Sequence, residues 1–371
     1  MTVLSRDDSF RARASATTAR PLKDQEIAVT IVADRYRFVT GVDTHSKKHQ
    51  YALVDHTGRL VDERSFPTSP AGLARATRWL TDLTGGQTLL ASIDGAGSYG
   101  KQLADVFTGT GVDVVEAPRV RYRPAGKDDR LDARTAATTV LPMDTDRLTD
   151  RKTGAERDAI QVLLTARAEM TRERTRTLNA LTALTRRFDL GLDARKALTT
   201  RQITTIAGWR TRPTDPIDAR TARAEAVRLA TRARALTREL AENKTTLHHL
   251  TTGLVPHLLA EPGIGPVTAA QVYASWSHPG RVRSEAAFAR LAGVAPKPAS
   301  SGDRIRHRLD RSGDRRLNAA LHRIVITRWR THPETLAYIA RRRTEGRTDR
   351  DIRRCLKRII ARHLYRLLEA G

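Results

Sequence analysis

Short apolar runs begin the patterned part of the chain. Residues 38–42 (FVTGV), 50–54 (QYALV) and 60–66 (LVDERSF) have the length and the β-branched or aromatic content of strands. A His56-Thr57-Gly58 turn joins the last two, so three antiparallel strands are predicted. The pattern then changes to an amphipathic helix over 70–83, a buried apolar strand over 88–93, a helix after Gly97, a strand at 112–115 and a helix from about 129 to 141. From about 151 to 258 strand signals vanish, and two long helical stretches flank a break holding Gly208, Pro213 and Pro216. In the second stretch Leu229, Ala233, Leu236, Leu240, Asn243, Leu247, Leu250 and Leu254 follow the 4-3 spacing of a coiled-coil seam. The first is looser: Ile160, Leu163, Met170, Leu181, Leu184 and Phe188 are in register, but Arg167 and Arg174 interrupt. The last segment, 258–371, is again helical around a Gly/Pro/Ser-rich interval at 293–313.

A three-stranded meander followed by alternating strands and helices is the element order of an RNase H-like fold. The expected class is therefore α/β plus α. A flexible basic arm over 1–35 precedes an RNase H-like domain over 36–146, a helical coiled-coil region over 147–257 and a mostly α-helical domain over 258–371. The two long helices can pair as a hairpin or with a second subunit, and Asn243 on the seam can set register or oligomeric state.

Charge narrows the partner. Lys and Arg number 66 against 41 Asp and Glu, for a net charge of +25, and such a field calls for a polyanion. A phosphate backbone is the commonest one, through release of its condensed counterions. Arginine bias from GC-rich coding and a structural RNA binder are the alternatives at this point. The single cysteine, Cys355, excludes an intramolecular disulfide and a cysteine-based zinc site, which suits a reducing cytoplasm. No stretch reaches the roughly 18 apolar residues of a membrane span, and the polar, Arg-rich start has no apolar core of a secretory signal.

The candidate chemistry begins with carboxylates. Asp43 ends the first predicted strand and Asp94 ends the buried one, where side chains of neighbouring strands converge. Asp129 and Asp132 lie three apart in KDDRLDA and share one helix face. Four carboxylates from three elements can thus meet, and hard oxygen donors of this kind suit Mg²⁺ in phosphoryl transfer. Each aspartate taken alone reads first as a turn or cap residue, and Asp55, Asp62 and Asp128 are assigned that role.

The segments GVDTHSKKHQYALVD, IDGAGSYG and KDDRLDA resemble the three signature segments of DEDD-type transposases of the insertion sequence 110 family. Those have the form G-[IV]-D, E-[AG]-x-G-x-Y-G and K-x-D-R-x-D-A. The resemblance implies a RuvC-like N-terminal domain with Asp43, Asp94, Asp129 and Asp132 as catalytic metal ligands. The chain departs from the pattern at Asp94, where the family has Glu.

Further on, EPGIGPVTAAQV and LAGVAPKPASSGDRIRHRLDRSGDRRLNAAL resemble the family's second domain, P-G-I-G-x-x-T-A followed by G-x-x-P and S-G. There the serine before glycine is the nucleophile, which implies Ser301, with Ser300 and Ser312 as competitors. A serine hydroxyl attacking a phosphodiester leaves a phosphoserine that conserves the bond for rejoining. By itself the segment reads first as a Ser/Gly loop whose basic residues bind phosphates. Expected nucleic-acid contacts are Lys127, Arg130, Arg304, Arg306, Arg308, Arg354, Lys357 and Arg358. The last three lie in a basic helical region, 341–362, whose apolar Ile352, Leu356, Ile359, Ile360 and Leu364 should pack inward. Gly263-Ile264-Gly265 reads either as a phosphate-holding hairpin turn or as a tight turn for packing.

The resemblance implies a cytoplasmic, nucleoid-associated transposase that recombines double-stranded DNA under an element-encoded guide RNA, base pairing reading the sequence. With carboxylates and serine on domains separated by long helices, a site completed by a second subunit of a dimer or tetramer is expected. The rival readings are a Holliday-junction-type endonuclease using water and a non-catalytic nucleic-acid-binding protein from an inactive element.

Overall fold

The computed structural model describes residues 30–118, 128–210, 212, 214–299, 307, 308, 310 and 313–370. The chain divides into two compact units: Met1–Asp94 with Asp105–Asp113 and Ala117–Leu148, and Gly95–Ala104 with Val114–Glu116 and Thr149–Gly371.

In chain order the elements are α1 (Val32–Arg35), β1 (Phe38–Thr44), β2 (Lys48–Asp55), β3 (Leu60–Pro67), α2 (Pro70–Thr84), β4 (Leu89–Ile93), α3 (Lys101–Gly109), β5 (Asp113–Glu116), α4 (Asp129–Val140) and β6 (Thr149–Asp150). The sheet order is β3-β2-β1-β4-β5-β6, with β1 antiparallel to β2, β2 antiparallel to β3, and β1 parallel to β4. This mixed sheet with its helices agrees with the RNase H-like expectation. β1 and β2 are buried on both faces, as a near-continuous apolar run requires, whereas β3 is an edge strand of mixed exposure. Residues 1–29 of the expected basic arm lie outside the described residues. Its end does not behave as an arm: Val32 is fully buried, and the amides of Val32 and Ala33 donate to the carbonyls of Met143 and Leu141.

One close approach sets the geometry of the first unit. A Cβ on Gly41 would lie 2.0 Å from the Ala133 carbonyl oxygen and 2.4 Å from the Ala137 amide nitrogen. α4 therefore rests directly on β1, with buried Ala133, Ala136 and Ala137 as its inner face. Asp128 caps α4 by accepting from the Arg130 amide at 3.0 Å.

The second unit continues with α5 (Ala155–Arg187), α6 (Thr200–Ala207), α7 (Ile217–Leu254), α8 (Pro256–Leu259), α9 (Pro266–Trp276), α10 (Glu285–Leu291), β7 (Lys297–Pro298), β8 (His307–Arg308), α11 (Arg315–Thr331), α12 (Pro333–Thr344) and α13 (Asp349–Ala370). The seam of α7 is filled by α5 of the same chain. Its buried positions include Ala222, Ala226, Ala230, Ala233, Leu236, Asn243, Leu247 and Thr251, so the first half follows alanines, with Leu229 only half-buried. Asn243 is satisfied within the hairpin: its Nδ2 donates to the Leu163 carbonyl at 3.1 Å, and its Oδ1 accepts from Arg167 at 3.3 Å. The two arginines that interrupt the apolar pattern are cross-helix ties, Arg167 to the Leu240 carbonyl at 2.8 Å and Arg174 to Thr237 Oγ1 at 2.8 Å.

A separate core of α8 to α13 includes Phe288, Leu317, Leu321, Ile324, Ile352, Leu356, Ile360 and Leu364. Ile359, expected to pack with them, is instead 49 % exposed, because it lies one position beyond the buried stripe of α13. Among the described residues no helix is long and apolar enough to cross a membrane.

Candidate functional site

The acidic site grows from the end of β1. Val42 and Ile93 are partners in the parallel β1/β4 ladder, and the chain beyond them stays tied: the Asp94 amide donates to the Val42 carbonyl at 2.9 Å, and Thr44 Oγ1 donates to the Asp94 carbonyl at 2.6 Å. Asp43 and Asp94 are thereby neighbours at adjacent strand ends. From the other side, the contact at Gly41 brings the first turn of α4, with Asp129 and Asp132, to the same strand.

Asp43 is buried, and its Oδ2 has no hydrogen-bond partner among the described residues. Its pKa is raised, first by burial and then by the charges of Asp132, Asp129 and Asp94, with His45 pulling the other way. The charges of the other three expected carboxylates thus reach Asp43. The tightest group is different from the expected one: Asp43, His45 and Asp129 place ligand atoms within 4.8 Å of one another. His45 Nδ1 lies 3.7 Å from Asp43 Oδ2, and its Nε2 lies 3.7 Å from Asp129 Oδ1. The two approaches use opposite ring nitrogens, so the imidazole lies between the two carboxylates, and to any one cation it could offer only one nitrogen. Asp94, which is exposed, and Asp132 stand outside that tight group.

His45 was not foreseen. The available signal was its place two residues after Asp43, which in a strand puts both side chains on one face. The strand end is held in turn by His49, buried, whose Nδ1 accepts from the His45 amide at 3.3 Å. Burial, and then His45, lower the His49 pKa, in keeping with a neutral accepting ring. Asp55 has the turn role assigned to it, accepting from Thr57 and Arg59 between β2 and β3, whereas Asp62 is neither turn nor cap: it lies within β3 and accepts from Trp79 Nε1 at 3.0 Å. Arg130 is exposed and lies 3.6 Å from Glu63, while Lys127 is outside the described residues.

In the second unit, Ser300, Ser301, Arg304, Arg306 and Ser312 lie outside the described residues. The base of their segment is described. A Cβ on Gly313 would lie 2.3 Å from the Gly293 amide nitrogen, and the Asp314 amide donates to the Leu291 carbonyl at 2.6 Å. Asn318 Nδ2 adds a bond to the Ala292 carbonyl at 2.7 Å. The end of α10 and the start of α11 are therefore clamped together, and Gly313 is needed for backbone contact.

Arg308, Arg354, Lys357 and Arg358 converge on one cavity of about 370 Å³, floored by Val294, Ala295 and Pro296. Lys357 Nζ donates to Asn318 Oδ1 at 2.9 Å, and burial followed by the charge of Arg354 lowers its pKa. Asp310, ion-paired with Lys297 at 2.7 Å, lines the cavity too, and the four cations beside it suit a sugar-phosphate group. At the Gly263-Ile264-Gly265 turn the packing reading fits better. The amides of Thr268 and Ala269 both donate to the Gly265 carbonyl, and Arg328 Nε donates to the Pro262 carbonyl at 2.7 Å, so the turn is pinned to α11.

Comparison with known families agrees with both halves. A transposase model, the DEDD type of insertion sequence 110, matches residues 40–188. The model of the Transposase IS116/IS110/IS902 family matches residues 256–340, and together the two cover more than half of the chain. No curated protein matches it.

Proposed function

Since the chain belongs to the insertion sequence 110 family of DEDD-type transposases, we propose that it is a DNA recombinase in which Asp43, Asp94, Asp129 and Asp132 hold Mg²⁺ and Ser301 attacks the DNA. Membership implies DNA binding and DNA cleavage, and DEDD-type folds generally use a divalent metal. The observation that supports the metal reading is the buried, unpartnered Asp43 Oδ2 within reach of His45 and Asp129. When bound, the metal supplies charge that offsets the developing negative charge on the phosphate oxygens.

The chain's own residues do the rest. Asp43 and Asp129 face His45, whose imidazole keeps the two carboxylates at a workable separation. Ser301 Oγ forms a bond to the scissile phosphorus as the bond to the deoxyribose oxygen breaks, and the hydroxyl proton ends on that leaving oxygen. Rejoining reverses the exchange, with a deoxyribose hydroxyl displacing Ser301. Arg308, Arg354, Lys357 and Arg358 hold the backbone in the cavity beside α13. Base pairing with an element-encoded RNA selects the DNA sequences, and a dimer or tetramer completes the site.

The test is a trapped adduct. Denaturing the protein during reaction with element-end DNA should leave DNA covalently attached to Ser301, and Ser301→Ala and Asp129→Ala should each abolish strand transfer while DNA binding persists. Cleavage without any adduct would replace this reading with water-mediated junction cleavage. Sequencing of RNA that copurifies with the protein from its host tests the guide; absence of element-derived RNA would remove it.

A further inference from the structure

A second basic recess lies in the second unit. α5, α9 and α11 enclose a cleft of about 310 Å³. Short side chains, Ala168, Ala319 and Ala320, form part of its floor, and Arg167, Arg172, Arg316 and Arg323 line it. No carboxylate is among the described residues that line it.

The charges in this cleft are poorly compensated. Among the described residues Arg167 is anchored by neutral acceptors, the Leu240 carbonyl and Asn243 Oδ1. Burial, and then the like charge of Arg323, push its pKa down. Arg172 pairs with Glu169 at 2.7 Å. Arg316 and Arg323 are exposed, and their guanidinium groups form no ion pair among the described residues. Neighbouring like charges of this kind are favourable only when a polyanion covers them.

The recess also has direction. Arg323 lines a second hollow of about 740 Å³ together with Thr268 and Thr327, so the track continues along α11. From Arg316 to Thr327 that helix rises about 16 Å, roughly the rise of five nucleotides in one strand of a duplex. Alanines let a backbone approach closely, and guanidinium groups bind phosphate oxygens in pairs.

We propose that the α5/α9/α11 cleft is a docking groove for one strand of double-stranded DNA, held through its phosphates and separate from the cavity beside α13. The choice of DNA rests on the transposase reading. Contacts to phosphates carry no base information, so the groove adds affinity and orientation in a sequence-independent way.

The experiment titrates the full-length protein with a duplex of arbitrary sequence over a range of salt concentrations. Arg316→Gln with Arg323→Gln should make the slope of log affinity against log salt shallower by about two, near 0.9 per lost phosphate contact. Arg316→Lys with Arg323→Lys should retain the slope. Arg234→Gln with Arg238→Gln, exposed positions of α7 that change the net charge equally, should leave it unchanged. An unaltered slope in the first variant, or an equal loss in the α7 variant, would overturn the groove. A larger loss for structured RNA than for duplex DNA would overturn its assignment to DNA. Failure of the wild-type protein to bind duplex with a steep salt dependence would instead overturn the DNA-recombinase reading itself.

Discussion

His45 carries the clearest consequence at the scale of single residues. With one ring nitrogen 3.7 Å from Asp43 and the other 3.7 Å from Asp129, it lies between two of the four carboxylates, placed to orient them when a metal binds. His45→Ala should therefore weaken divalent-metal affinity about 10- to 100-fold, the usual cost of losing a group that orients metal ligands. Calorimetric titration with Mg²⁺ and Mn²⁺ checks this, and unchanged affinity would remove His45 from the site. Far from it, Glu285 joins α10 to α13 through Arg362 at 2.6 Å and through Arg366. These hydrogen bonds, Arg366 first, hold the Glu285 pKa down to about 2. A depressed carboxylate pKa stabilises the fold above the unfolded value of about 4.3 and loses that contribution as pH falls toward the folded value. Wild type should thus exceed Glu285→Gln in stability by a constant margin at neutral pH, and the margin should close on acidification to about pH 2. Parallel urea melts across pH read it, and a margin that persists in acid would contradict the ion-pair origin. The motif around Asp43 was legible because it is contiguous; His45 was not, because its value depends on α4, more than eighty positions later.

Between elements, the spacing of α4 from β1 decides whether the acidic site exists. Gly41→Ala would drive a methyl group into the backbone of α4 at Ala133 and Ala137. The expected cost is about 1–3 kcal/mol or more, as for other overpacked cores, together with loss of metal-dependent stabilisation as Asp129 and Asp132 retreat. A variant that binds metal normally would show that the helix can move without consequence. In the long hairpin, Leu236 is fully buried between α7 and its packing partners. Leu236→Ala should cost about 2–5 kcal/mol, read as a lower denaturant midpoint. The 4-3 pattern announced a seam but not its occupant. Asn243, Arg167 and Arg174 bind across the α5/α7 hairpin, so the polar breaks in the pattern specify intrachain register.

For the whole molecule, net charge and metal occupancy set what solution experiments will report. If a divalent ion binds only the folded chain, saturation at about 100 times its dissociation constant should add about 2.7 kcal/mol to stability. That gain, seen as a rise in melting temperature with Mg²⁺, should vanish in Asp129→Ala; a gain that survives would place the ion elsewhere. The sequence by itself determined the order of the main strands and helices, the transposase signature segments and the net charge of +25. All of these depend on local periodicity, contiguous motifs or summed charge. Only the tertiary structure decided that α5 fills the seam of α7, that His45 sits between Asp43 and Asp129, and that arginines from α5 and α11 share a cleft. Those outcomes join residues far apart in the chain, and they turn on close approaches, such as the one at Gly41, that linear spacing does not encode.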